Sequence, residues 1–212
     1  MYNITDTDRD FQALLTKEKI AEFEKHFEKN FLTQEGTLQL LHLGVKFASD
    51  LKFESSRIIW NTACFVNVLS YDLKVIIRAM IYSRREWEKR VFARQAAVIV
   101  YESLNDLFDL LGKRLKVAIE KLTDSEDFKD KLKEIRSDLN SFKESNFHSL
   151  KRIRNVAAAH RDQDALKLVQ TIVDISWMES FAIFSAFDQI VIKLGGVLQA
   201  LTARVKELEG LN

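Results

Sequence analysis

The sequence predicts an all-α protein, a helical bundle with an N-terminal helical extension. Three observations carry that expectation. Among 212 residues there is no proline and glycine numbers only 6, where average usage would supply roughly ten and fifteen. β-Rich folds turn on Gly and Pro, so sandwiches, barrels, collagen-like repeats and Pro-rich linkers are excluded. Apolar residues recur at spacings of three and four from end to end, the period of amphipathic helices. No period of about 20–50 residues recurs, which removes a solenoid.

Each element follows from this spacing and from local caps. Thr5 or Asp6 opens a first helix carrying Phe11, Leu14 and Leu15, then Ile20, Phe23 and Phe27. Asn30 to Gly36 reads as a turn. Leu38, Leu41, Val45 and Ala48 mark a second helix, and Leu40-Leu41-His42-Leu43 places His42 in the core or at its boundary. Ser55 or Ser56 caps a third helix bearing Ile59, Phe65, Leu69, Leu73, Ile76 and Met80. Ser83 caps a long fourth, from Trp87 through Val98, Tyr101 and Phe108 to Gly112 or beyond. Asp124 or Ser125 opens a charged amphipathic helix with Phe128, Leu132, Ile135, Leu139 and Phe142. A separate short segment then runs from Phe147 to about Ala159. Asp162 starts a helix with Leu166, Val169 and Ile172, and the last helix carries Trp177, Phe184, Val191 and Leu201. Long amphipathic helices with short connections describe a bundle. The break near Ser83 divides the chain into an extension, residues 1–83, packed on the core, and a bundle, residues 84–212.

Composition bounds the setting. Lys and Arg total 32 against 31 Asp and Glu, a formal charge of +1, so a nucleic-acid role must rest on local charge. Cys64 is the single cysteine. It allows no intrachain disulfide and no Cys-based metal site, and its apolar neighbours make it a small buried hydrophobe. The start, Met1-Tyr2-Asn3-Ile4-Thr5-Asp6, is neither basic nor apolar, so the expectation is a cytoplasmic protein without a signal peptide. The stretch from Trp177 to Leu201 contains Glu179, Asp188 and Lys193. Each would cost about 2.5–3.5 kcal/mol at a bilayer centre, so a core helix is expected and no membrane association.

The usual catalytic signatures are absent. His26 reads as a surface residue. No His-x-x-x-His or Glu-x-x-His pair occurs, so no metal or other cofactor is expected. No Gly-rich phosphate loop and no Gly-x-Ser-x-Gly elbow is present. Gly195-Gly196 sits inside an apolar helical pattern and reads as a close helix contact or a kink.

One window stands apart. From Ser145 to Arg161 there is no acidic residue, while Lys151, Arg152, Arg154 and Arg161 are joined by His148 and His160. In a chain this evenly balanced, that is a local positive patch suited to a phosphate ligand. Within it Arg154 is followed directly by Asn155, then by Val156-Ala157-Ala158-Ala159, then by His160. In this pattern the sequence resembles the HEPN superfamily, all-helical domains that include many prokaryotic toxin and defence ribonucleases. Their signature is an Arg, a polar residue directly after it, and a His a few residues on. Tyr101-Glu102 on the fourth helix, and the final helix, also look like the family's flanking elements. The resemblance covers roughly Arg84 to Leu208.

The resemblance implies an HEPN-like bundle and metal-independent endoribonuclease activity, in a toxin or antiphage effector. A 2′-hydroxyl attacks the neighbouring phosphorus and loses its proton, and the leaving 5′-oxygen gains one. Under it, His160 carries one proton transfer and Arg154 stabilises charge on the non-bridging oxygens. Asn155 orients the histidine, the phosphate or the sugar, while Lys151, Arg152, Arg161 and His148 hold flanking substrate. A non-catalytic HEPN-like module that binds nucleotide, RNA or a protein partner is one alternative, and an unrelated helical interaction protein in which Arg154 and His160 are structural is another. At about 100° per residue, Arg154 and His160 lie about 120° apart on an unbroken helix. Either the helix bends or ends within the alanine run, or the long arginine reaches around, or a two-fold dimer brings two motifs together. The resemblance favours the homodimer, with RNA in a shared cleft and an antitoxin or other partner protein as a further binding partner.

Overall fold

The computed structural model describes residues 6–123, 125–155 and 163–210, the side chains of residues 6, 7, 10 and 11 excepted. Those residues form eight α-helices and no strand: α1 (Asp6–Leu14), α2 (Lys17–Asp50), α3 (Glu54–Tyr82), α4 (Glu86–Leu110), α5 (Lys113–Ile119), α6 (Ser125–Ile153), α7 (Ala165–Val173) and α8 (Trp177–Leu208). The protein is thus an all-α helical bundle.

α3, α4, α6 and α8 form the bundle, each packed on its neighbours, with α5 under α3 and α6. Pairing contacts set the directions. Ser56 donates to Glu209 and Ser70 to Asp188, so α3 and α8 run antiparallel. Lys143 reaches Asn105 and Arg154 reaches Glu102, so α4 and α6 do too. The shared core is built from the buried stripes of these helices, with Leu73, Val100, Leu104, Leu139, Phe187 and Leu194 fully or almost fully enclosed. Burying such side chains contributes about 1.5–3 kcal/mol each.

α8 is the one described helix long and apolar enough to cross a membrane, by length and composition. Its apolar stripe is packed on α3, α4 and α6. Its Asp188 accepts from Lys74 of α3 at 2.9 Å, and Lys74 also donates to Ser70. Its N-terminus is capped by Ser176, whose Oγ accepts from Glu179 N at 3.1 Å. Asp8 of α1 accepts from Ser176 Oγ and Met178 N, placing a carboxylate where the helix dipole is positive.

Several boundaries differ from the sequence expectation, each for a local reason. The chain breaks at Leu15-Thr16, where Thr16 caps α2. It does not turn at Asn30–Gly36. Thr33 and Thr37 hydroxyls donate back to the carbonyls of Lys29 and Thr33 at 2.9 and 2.8 Å, so these polar side chains fold onto the helix instead of leaving it. α3 then holds the stretch through Asn67 to the Gln34 carbonyl and Tyr71 to Glu35. Phe53, not a serine, precedes α3, because the Ser56 hydroxyl is used on Glu209. Ser83 closes α3 rather than opening α4, donating to the Ala79 carbonyl at 2.7 Å. α4 begins at Glu86, stops at Leu110 and gives way at Gly112 to α5. Phe147 belongs to α6, which runs unbroken to Ile153. α7 begins at Ala165, where Asp164 accepts from Leu166 N and Lys167 N; the expected start, Asp162, lies outside the described residues, as do Thr5 and Asp124.

His42 is exposed, not in the core. Only Leu41 of its apolar run is buried, while Leu40 and Leu43 are 68% and 59% exposed. α2 lies outside the bundle and buries little beyond Leu41, Gly44 and Ala48 against α3. Gly44 permits that approach: a Cβ there would lie 2.4 Å from the Trp60 ring. Gly195 and Gly196 make no close helix contact and no break, since a Cβ at either would meet nothing within 4 Å and α8 is continuous. Cys64 is half-buried, and burial pushes its thiol pKa up.

Candidate functional site

The basic window sits at the C-terminal end of α6. Lys151 and Arg152 occupy its last turn, where cations complement the negative end of the helix dipole. The α-helix stops at Ile153, and Arg154 and Asn155 continue in one wider, π-helical turn, a distortion frequent at functional sites. The α-helical form thus ends at Ile153, before Arg154, and the stretch from Val156 to His160 lies outside the described residues.

Arg154 is held from three sides. Its Nε donates to Glu102 Oε1 at 2.9 Å and its Nη2 lies 2.8 Å from the same oxygen. Its Nη1 donates to Asn155 Oδ1 at 3.0 Å. Its guanidinium carbon lies 5.4 Å from the centre of the Tyr101 ring, within cation–π range. Tyr101 in turn stacks on Phe147 of α6, ring centres 4.9 Å apart. Lys143 lies over Phe147 at 5.0 Å and over Phe108 at 5.2 Å. The α4–α6 seam thus presents alternating aromatic rings and cations that end at Arg154.

Helical angles sort the expected substrate-binding residues. Lys143, Phe147 and Lys151 fall within an arc of about 80° on α6, the arc bordering the buried face. Lys151 is therefore on the side of Arg154. Arg152 lies about 100° beyond Lys151 and His148 about 60° beyond it, both exposed on the solvent face. The fold joins Arg154 to Asn155, places Lys151 on the neighbouring arc of α6 and leaves His148 and Arg152 off that face. His160 and Arg161 lie outside the described residues, so their placement relative to Arg154 is not part of this geometry.

Sequence reading assigned no contact to Glu102, Tyr101, Phe147 or Lys143. The spacing of Lys143, Phe147 and Lys151 by four is the signal that marks them as one strip on α6. The pairing of Glu102 with Arg154 spans 52 residues and leaves no trace in local spacing.

Chemically, the site offers a guanidinium fixed in plane and orientation, flanked by an exposed ammonium, with aromatic faces beside it. The Nε–Nη2 edge of the guanidinium is taken by a single Glu102 oxygen, and Nη1 is engaged by Asn155. A phosphate therefore has to displace that carboxylate or bind beside it. The pair is partly open to solvent, with side chains 26% and 47% exposed. Such exposed pairs are worth up to about 1 kcal/mol, so an incoming phosphodiester anion can compete with Glu102 at small cost. Among the described residues no group of three or more His, Cys, Asp or Glu side chains is placed to hold a metal ion.

Comparison with protein-family models, with curated proteins and with solved structures finds no match to this chain.

Proposed function

We propose that this chain is a metal-independent endoribonuclease of the HEPN type, acting as a cytoplasmic toxin or antiphage effector. The observation that supports it is the seating of Arg154. It is oriented by Glu102 and Asn155 on a Tyr101 shelf, at the point where α6 gives way to the segment carrying His160. In this reading an imidazole takes the 2′-hydroxyl proton as the oxygen attacks phosphorus. The bond to the 5′-oxygen breaks, and that oxygen receives a proton. The products are a 2′,3′-cyclic phosphate and a 5′-hydroxyl. Arg154 neutralises the charge that builds on the non-bridging oxygens, and Lys151 holds a neighbouring phosphate. With one such histidine per chain, the acid and the base come from two copies of His160 in a two-fold dimer.

One observation favours the second reading, a non-catalytic HEPN-like module that binds nucleotide, RNA or a protein such as an antitoxin. The Nε–Nη2 edge of Arg154 is already engaged by Glu102, a resting arrangement that suits holding a ligand as well as turning one over.

The test is incubation of purified protein with total RNA and with tRNA, chelator present, and mapping of the product ends. Cyclic-phosphate and 5′-hydroxyl ends are expected. His160→Ala should remove them, with at least a 10²-fold loss typical of a general acid–base and an unchanged unfolding midpoint. RNA retention without turnover in the wild type selects the binding module. Cleavage by a strictly monomeric protein ends the shared-cleft version.

A further inference from the structure

On the side of α3 away from the α4–α6 seam, α2 and α8 both pack on α3 and scarcely meet each other. Between them runs a trough floored by α3, with a cavity of about 850 Å³, inside the range of roughly 300–1,000 Å³ that accommodates small ligands. The floor extends from Trp60 to Lys74, about 21 Å at about 1.5 Å per residue.

The trough has a polarity gradient. One end is lined by Gln34, Asn67, Ser70 and Lys74. The other is walled by Leu41, Phe47, Ala63 and Leu198 around Trp60, with Gln199, Thr202 and Lys206 of α8 beside them. The wall contributed by Gly195 and Gly196 opens onto space, because a side chain there would meet nothing within 4 Å.

The polar end is incompletely satisfied. Lys74 is 9% exposed and uses two N–H groups on Ser70 Oγ and Asp188 Oδ1. An ammonium has three donors, and the third has no acceptor among the described residues. The Oε1 atom of Gln34 is buried without a hydrogen-bond partner. Buried polar groups are ordinarily paired, so this end asks for one acceptor and one donor. Hydroxyl groups on one small head supply both.

Charge decides the class of head group. Lys74 is already neutralised by Asp188. At this end an anionic head would bring a second negative charge close to Asp188, with Lys206 at the far end of the trough, and a cationic head would face the ammonium. A neutral hydroxyl head meets neither penalty. The long apolar remainder of the trough suits a single alkyl chain.

We propose that this trough binds a single-chain amphiphile with a neutral hydroxyl head, of the monoacylglycerol kind. The head sits at Lys74 and Gln34, and the acyl chain lies along the Gly195-Gly196 wall toward Trp60 and Phe47. This site is separate from the RNA reading and stands or falls independently of it.

The test is calorimetric titration of the full chain with monopalmitoylglycerol below its micelle concentration, with palmitate and glycerol as comparison ligands. Saturable binding of monopalmitoylglycerol is expected, at least about tenfold tighter than palmitate, with none for glycerol. Gly195→Phe fills the trough and removes a helix-interior glycine. It should weaken binding at least about tenfold while leaving the melting temperature unchanged or raised. Gly196→Leu is the second variant, should the first fail to fold. Absence of binding to the wild type, equal binding by both folded variants, or palmitate binding as tightly would each overturn the proposal. So would a dimer in sedimentation that Leu40→Glu disperses, because a second copy would then be the occupant.

Discussion

Two polar clusters in this molecule have the same ingredients and different surroundings. At the α3–α8 seam, Lys74 meets Asp188 and Ser70 with the charged side chains 11% and 12% exposed. At the α4–α6 seam, Arg154 meets Glu102 and Asn155 with the charged side chains 26% and 47% exposed. Each holds one cation, one carboxylate and one small polar side chain. The first cluster is enclosed except on its trough side, so it ties two core helices together and a lost partner there is replaced poorly. Outside, water competes for every donor, so the second pair exchanges its partner more readily. Burial, more than residue type, sets how readily such an ion pair exchanges its partner.

The largest effect expected comes from breaking the inner pair. Asp188→Ala strands a buried ammonium and should lower stability by about 3–5 kcal/mol in denaturant unfolding. The double variant Lys74→Met with Asp188→Leu removes both charges and should recover most of that loss; a double variant as unstable as the single one would mean that the trough, not the charge, had been damaged.

An intermediate case sharpens the contrast on the α2–α3 face. Glu24 accepts from Arg78, Nε to Oε2 at 3.1 Å, and the Arg78 hydrogen bond holds the Glu24 carboxyl below its usual range. Burial, with Glu24 close by, pushes the Tyr82 phenol up to about 12, and its hydroxyl donates to the Ile20 carbonyl at 2.8 Å. A folded pKa above the unfolded value means that this contribution is fully present below about pH 10 and is lost as pH rises toward about 12. Stability should therefore fall across that alkaline window, and Tyr82→Phe should flatten the fall. An identical slope in the variant would assign it to other groups, Tyr71 among them, whose phenol is also raised by its bond to Glu35.

The smallest effect on stability is expected at the outer pair. Glu102→Ala should change unfolding free energy by no more than about 1 kcal/mol. Its consequence belongs to binding: with the guanidinium edge released, affinity for RNA phosphate should rise, read in a filter-binding titration at fixed salt. A stability loss as large as that of Asp188→Ala would place Glu102 among the structural pairs and remove the distinction.

Legibility followed the range of the interaction. The start of α8 was readable because Ser176 caps within three residues. The Arg154–Asn155 contact was within reach of the motif, being between neighbours. The passage of α2 through Asn30–Gly36 was not, since turn-forming residues there are held in the helix by Asn67 and Tyr71 from another element. Gly195-Gly196 was misread for the same reason: glycines mark close contacts where a partner exists, and here α2 and α8 stand apart.

Read alone, the chain determines its helices and their apolar stripes, because the hydrogen bonds and side-chain spacings that make a helix join residues three or four apart. The tertiary arrangement alone decides which stripes meet, which lysine finds Asp188 and which glutamate finds Arg154. Those choices are made by packing between segments 52 or 114 residues distant, and desolvation acts only once the packing is complete.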